Sequence, residues 1–313
     1  MVAVPRLDDL PSALSVEDQA AWAMVDDGGE SDHGPARGRL VKGEGMKALI
    51  TRGQLAQDLT RLGLEAGDVV MVHASMRAVG AVLGGPDVVI DALLDVVAGA
   101  GTLMMYVDWE HGLRHLIRDA AEVVDDALWE ELPPFDPQTS RARRKYGIVA
   151  EFLRTWPGAV RSGNPNASVA AVGRLAEWIC RDHPLRYGYG PGSPLAKLVE
   201  AEGKVLLLGS PLGDVTLLHY AEHLARLPNK RVIRYREPVL VDGVRRWVEI
   251  EEFDTRGPVV AGAPKDYFTP IVRGFLSAEE ERSGRVGHAE AYVLDAAGLC
   301  RYAVEWMERH LGG

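Results

Sequence analysis

The chain has two cysteines, no apolar run long enough to cross a bilayer, and fewer basic than acidic residues. Each shortage removes a class of protein. Cys180 and Cys300 are too few and too far apart for a disulfide framework or a zinc cage, and both sit in helix-like apolar patterns that suit buried thiols. No stretch of about 18 apolar residues occurs, so no membrane-spanning helix is expected. The first residues, Met1 to Gln19, carry no basic segment followed by an apolar core, so no secretory leader is expected and the location reads as cytoplasmic. Lys and Arg number 35 against 45 Asp and Glu, a formal net charge of −10. That sign is the wrong one for nucleic acid, whose phosphates demand a basic face. It suits a cationic small molecule, although many proteins are acidic merely to stay dissolved. Two familiar loops are missing as well: there is no Gly-x-Ser-x-Gly elbow and no Gly-x-x-x-x-Gly-Lys-Ser/Thr phosphate loop.

What is present reads as one elaborated α/β domain. With 47% hydrophobic and 26% charged residues over 313 positions, the chain has the composition of an ordinary globular protein near the upper size for one core. Residues 1–45 are rich in Gly and charge with weak apolar periodicity, and are expected to form a partly mobile extension, with Met46 as an alternative start. The compact domain, residues 46–313, opens on a capping box at Thr51–Gln54, with Leu55, Leu59 and Leu62 at helical spacing and Gly63 near the helix end. Asp68–His73 is an apolar run that reads as a buried strand, Pro86–Ala98 as a helix and Thr102–Val107 as a second strand. Strand, helix and strand in this order form a βαβ unit with parallel pairing. Further on, Ser193-Pro194 starts a helix, Val205–Gly209 reads as a buried strand, and Val215–Leu227 as a helix. The Asp242-Gly243 turn makes a hairpin of Val239–Val244. Ala291–Leu294 reads as a strand and Ala297–His310 as a closing helix. The expected class is α/β, with a mixed, largely parallel central sheet flanked by helices.

Between residues 108 and 145 lies an acidic, aromatic-interleaved stretch that includes Asp108, Glu110, Asp119, Glu122, Asp125, Asp126, Glu130, Glu131 and Asp136, with Trp109, Trp129 and Phe135. It reads as a helix followed by a loop. The segment with most chemistry is Thr216–His223. At helical pitch His219 lies one turn from both Glu222 and His223. A carboxylate beside a histidine fixes its tautomer and makes it a general base. The same letters, His-x-x-Glu-His, are also an inverted zinc-peptidase motif, and an amphipathic helix facing solvent gives the pattern with no chemistry at all. His73, at a strand end beside Ser75, suits either an active-site wall or a satisfied core histidine. Gly188–Ser193 is glycine-rich but lacks the third dinucleotide glycine, and shapes the approach to the helix at Pro194, whose free N–H groups suit an oxyanion or phosphate.

From residue 47 onward the chain resembles the aminoglycoside 3-N-acetyltransferases, a family unrelated in fold to the GCN5-like acetyltransferases. The resemblance is carried by an ordered set of motifs: Val70–Gly80, Gly84–Pro86, Gly101–Met104, Pro134–Pro137, Pro157–Ser162, Gly192–Leu195, Val205–Gly209, Thr216–Glu222 and Pro228–Arg231. It implies acetyl-CoA as cosubstrate with no metal, an aminoglycoside acetylated on its 3-amino group, and a resistance function. It implies that His219 is the general base and that Glu222 and Asp254 are its acidic partners, which also hold the cationic substrate. Ser75, Met76, Arg77 and Thr216 match positions along the coenzyme A channel, and Ser193 is a further candidate there. Asp108 and Glu110 fall where the family varies its substrate loop. The same scaffold acting on another amine is the nearest alternative, and a zinc hydrolase built on His219, Glu222 and His223 is the alternative from another class. A homodimer is neither required nor excluded. The chain departs from the family at Arg161–Pro165, where Asn164 stands in place of the usual histidine. His223 lies outside the family's pattern.

Overall fold

Residues 49–110, 130–278 and 282–312 are described by the structure, a computed structural model. The expected N-terminal extension, and Asp119, Glu122, Asp125, Asp126 and Trp129 of the acidic stretch, lie outside the described residues.

Helix α1, Arg52–Leu62, begins as its sequence demands: the Thr51 side chain accepts from the Gln54 N–H while the Gln54 side chain accepts from the Thr51 N–H. Leu55, Leu59 and Leu62 are its buried stripe, and Gly63 ends it at φ 104°, a left-handed position that costs glycine little. Strand β1, Val69–Ala74, follows, then the short α2, Met76–Val79, helix α3, Gly85–Val97, and β2, Thr102–Tyr106. The middle of the chain adds α4, Ile148–Arg154, β3, Val160–Arg161, β4, Val169–Gly173, α5, Ala176–Cys180, and α6, Pro194–Glu200. After β5, Lys204–Leu208, come α7, Leu218–Leu224, the long strands β6, Val232–Val241, and β7, Val244–Phe253, and α8, Phe268–Ala278. Strands β8, Arg282–Val286, and β9, Ala289–Asp295, lead into α9, Ala296–Leu311.

Among the described residues, seven strands form one sheet in the order β3-β4-β2-β1-β5-β9-β8. The mixed α/β class holds, with the parallel pairing confined to the centre: β1 runs parallel to β2 and to β5, while the outer strands all pair antiparallel. The central strands are mostly apolar because helices cover both faces. Met71, Met104, Val205 and Leu207 point into one core with α5 to α9, and Val70, Val72, Leu103, Leu206 and Leu208 into the other with α1, α3 and α4. The outer strands gave little signal. β3 has two residues, β4 reads Val-Ala-Ala-Val-Gly, and β8 is an exposed edge of Arg, Ser and Gly, the short polar kind of strand that closes a sheet against further pairing.

The expected hairpin is longer than four residues on each side of its turn: β6 and β7 pair over ten residues each around Asp242 and Gly243, both at positive φ. Phe135 bonds to both sides of β6 residue 239, through Pro238 O and the Leu240 N–H, each at 2.8 Å, and with Trp109 and Val239 forms a small core of its own. The last part of the acidic stretch is thereby fastened to the ribbon.

Candidate active site

β1 sits between the strand that follows it in sequence and β5, so connections leave it in opposite directions. Parallel strands arranged this way leave a crevice outside their carboxyl ends. A cavity of about 680 Å³ occupies that place, walled by Ser75, Met76 and Arg77 after β1, Tyr106 at the end of β2 with Asp108 beyond it, and Asp214, Thr216 and His219 after β5.

His219 reaches the cavity because Leu217, Leu218 and Ala221 are fully buried and fix the rotation of α7. Its imidazole is about one-fifth exposed, and Nδ1 lies 2.7 Å from Glu222 Oε2. Glu222, only 2% exposed, stands behind His219 and off the cavity wall; its other oxygen, Oε1, accepts from the Tyr267 hydroxyl. Tyr267 is itself buried, and burial first, with the Glu222 charge second, pushes its hydroxyl far above the ordinary tyrosine range. Rings of Tyr189 and Phe268, each with its centroid 5.0 Å from that of His219, flank the imidazole. A carboxylate on Nδ1 turns Nε2 into the basic atom of a neutral imidazole.

The His219–Glu222 pair is the part of the expected constellation that the structure assembles; His223 turns elsewhere. Its Nε2 lies 2.9 Å from Glu252 Oε1 and its ring packs on Phe253. The two histidines of the zinc-peptidase letters therefore serve two different carboxylates. Among the described residues no group of three or more His, Cys, Asp or Glu side chains converges as metal ligands do.

Other expected positions divide. Ser75 caps α2, Met76 and Arg77 follow it on the cavity wall, and Thr216 lies beside His219, whose N–H bonds to Thr216 O at 3.0 Å. Asp108, 1% exposed, also lines the cavity, with the Tyr146 hydroxyl 3.4 Å from Oδ2. Three other expected residues lie off the cavity wall. Ser193 is fully buried off the wall, its hydroxyl spent on capping α6 through the Ala196 N–H at 3.2 Å. Glu110 also lies off the wall, accepting from the Arg144 N–H at 2.7 Å. Asp254 has two guanidinium partners: it accepts from Arg231, and from Arg256 through Nε at 2.9 Å and the backbone N–H at 3.1 Å. Burial works to raise its carboxyl, but Arg256 and Arg231 outweigh that and hold it below the usual range. Its charge is already matched, and it is Arg256, not Asp254, that faces the cavity.

Several further residues on the wall carry little signal in the sequence. Arg143, Lys145 and Arg256 join Arg77 to give four cations, and Asp214 adds an exposed carboxylate that local desolvation raises and Lys145 pulls back. Asp214 follows a Gly just ahead of the α7 segment, a weak signal; Tyr267 offers none, standing 45 residues from its partner. His73 does line the cavity, with Nε2 enclosed and unpartnered, and burial lowers it to about 4, so it is neutral near pH 7.

Asn164 explains its own departure from the family's histidine. It is buried, its Nδ2 donates to Pro184 O at 2.7 Å, and its Oδ1 accepts from the N–H groups of Asn166 and Ala167. The side chain closes a loop and stays off the cavity wall.

Comparison with known proteins agrees with this geometry. A family model described as aminoglycoside 3-N-acetyltransferase matches residues 71–308. Aminoglycoside N(3)-acetyltransferase III of Pseudomonas aeruginosa is 47% identical over 267 residues, 84% of this chain and 95% of that protein. The structure of AAC-IIIb in a binary complex with CoASH aligns with a TM-score of 0.81 at 51% identity, covering 85% of this chain and 98% of that one. AAC-VIa bound to sisomicin aligns with a TM-score of 0.80 at 34% identity, covering 85% of this chain and all of that one. With its family model spanning most of the chain and its relatives matched almost end to end, the chain belongs to the aminoglycoside 3-N-acetyltransferase family.

Proposed function

We propose that the protein transfers the acetyl group of acetyl-CoA to the 3-amino group of 2-deoxystreptamine aminoglycosides, with His219 as general base, and so confers resistance to them. The observation that carries this reading is the His219–Glu222 pair at 2.7 Å on the wall of a large cavity at the strand ends. Support comes also from AAC-IIIb with CoASH and AAC-VIa with sisomicin, similar over nearly their full lengths.

The wall suits both ligands. Arg77, Arg143, Lys145 and Arg256 give the cations that the phosphates of coenzyme A require, and Asp108 and Asp214 give carboxylates for a polyammonium substrate. His219 relieves the attacking nitrogen of its proton as the N–C bond to the acetyl carbonyl forms and the C–S bond breaks. The proton passes from His219 to the departing thiolate, so the imidazole ends neutral and no acyl-enzyme forms. Thr216, beside His219, lies among the groups that meet the thioester.

The test is thiol release from acetyl-CoA with gentamicin, kanamycin, apramycin and neomycin, with and without a metal chelator. Chelator-resistant turnover is expected, and His219→Ala should lower kcat by at least about a hundredfold, within the usual contribution of a general base, while coenzyme A still binds. Turnover retained in His219→Ala removes His219 as the base. Silence with all four antibiotics while coenzyme A binds moves the reading to another amine on the same scaffold.

A further inference from the structure

We propose that Tyr267 is a positioning residue for the general base: its hydroxyl anchors the far oxygen of Glu222 so that the near oxygen stays on His219 Nδ1. The inference rests on the reading of His219 as base.

Glu222 stands three residues from His219 on a seven-residue helix. An i, i+3 contact alone leaves a carboxylate free to turn about its last torsion, which is broad. The second oxygen removes that freedom. It accepts from Tyr267, which enters from the segment ahead of α8, far away in sequence. Tyr267 is held in turn: it is 3% exposed, and its oxygen also faces the Val259 N–H at 3.4 Å. The next residue, Phe268, sets its ring at 89° to that of Tyr267 and at 61° to that of His219. Two consecutive residues thus grip the pair at both ends, a hydroxyl on the carboxylate and a ring edge on the imidazole.

Charge-assisted hydrogen bonds of this kind are roughly twice as strong as neutral ones, and stronger still away from water. Burial and the Glu222 charge keep the tyrosine protonated, so it donates at every working pH. The other titratable groups facing the pair are Lys230, whose ammonium feels Glu222 from the loop after α7, and Tyr189, whose hydroxyl is engaged with Tyr106 and Asn166 O. His223 on the same helix is committed to Glu252. Tyr267 is therefore the neutral donor that fixes Glu222.

Kinetics of the full-length enzyme test this. Tyr267→Phe should lower kcat about tenfold, one hydrogen bond to a charged group, with KM for acetyl-CoA little changed. The acid limb of the kcat/KM profile should move to higher pH, because losing a donor to the carboxylate favours the protonated pair. Incorporation of 3-fluorotyrosine at 267, which keeps the ring and strengthens the donor, should move that limb to lower pH, and it serves if Tyr267→Phe fails to fold. In the Glu222→Gln background Tyr267→Phe should cost little more, since the two act in series. A wild-type profile in both 267 variants, a loss of thermal stability alone, or full additivity with Glu222→Gln overturns the inference. If His219→Ala is dead while Tyr267→Phe matches wild type, only the role of Tyr267 falls. If His219→Ala turns over normally, both fall.

Discussion

The Asp254 carboxylate holds Arg256 by side chain and backbone together, an Asx turn closed by an ion pair. Arg256 is the member that reaches the cavity, so Asp254 is placed to aim a cation. Asp254→Asn keeps the size and removes the charge that fixes the guanidinium. Because Arg256 is about two-fifths exposed, the loss should be about 1 kcal/mol, near fivefold in KM. We expect that rise in KM for acetyl-CoA, with KM for the aminoglycoside unchanged. Steady-state kinetics with each substrate varied in turn decide the matter. A rise confined to the aminoglycoside would return Asp254 to the substrate-binding role that its family position implies. Residues of this kind mark the limit of reading charge along a chain. His219 and Glu222 were legible because helical spacing brings them together locally. Tyr267 and Arg256 owe their roles to contacts between distant segments and to a turn, which no periodicity encodes.

Among the elements, the β6–β7 ribbon depends on its turn. Asp242 and Gly243 both have positive φ, at 50° and 74°, as a two-residue hairpin loop with the right twist requires. Gly243→Val forces a branched side chain into the left-handed region and should destabilise the protein by about 1–2 kcal/mol. Gly243 lines no part of the cavity, so kcat measured well below the melting temperature should stay at the wild-type value. A thermal melt paired with an activity assay checks both halves; an unchanged melting temperature would mean that the ribbon end frays freely. The ribbon does join the site at its other end, where Glu252 on β7 receives His223 and the Tyr189 N–H at 3.2 Å. The Asp-Gly pair announced this hairpin, and the apolar runs announced β1, β2 and β5. The sheet is less parallel than its apolar runs suggest, because only the central, doubly covered strands carry a strong apolar signature. The antiparallel flanks are short, small-residue or polar, and their pairing is decided by the edge they complete.

At the scale of the whole molecule, acid should destabilise the protein through groups held far from their ordinary values. His183 is buried between Ser162 Oγ and Gly188 O, at 2.8 and 2.7 Å, and burial lowers it to about 4 from 6.5. The unfolded chain therefore binds a proton near pH 6.5 that the folded one refuses until about pH 4. Stability must fall as pH drops through that window, by about 3 kcal/mol for this residue alone. His73, lowered to about 4 by burial, adds to the same slope. Glu151 acts in the next window. Burial tends to raise it, but the Arg154 and Arg141 guanidiniums hold it at about 2. Its stabilisation is complete above the unfolded value of 4.5 and is lost as pH falls toward 2. Melting temperature against pH should accordingly decline from pH 6.5 downward without a plateau. His183→Gln should flatten the upper part of that decline, between pH 6.5 and 4, whatever it does to the absolute melting temperature. A curve for His183→Gln running parallel to wild type there would show that His183 takes up its proton while the protein is folded, and that its two hydrogen bonds survive the charge.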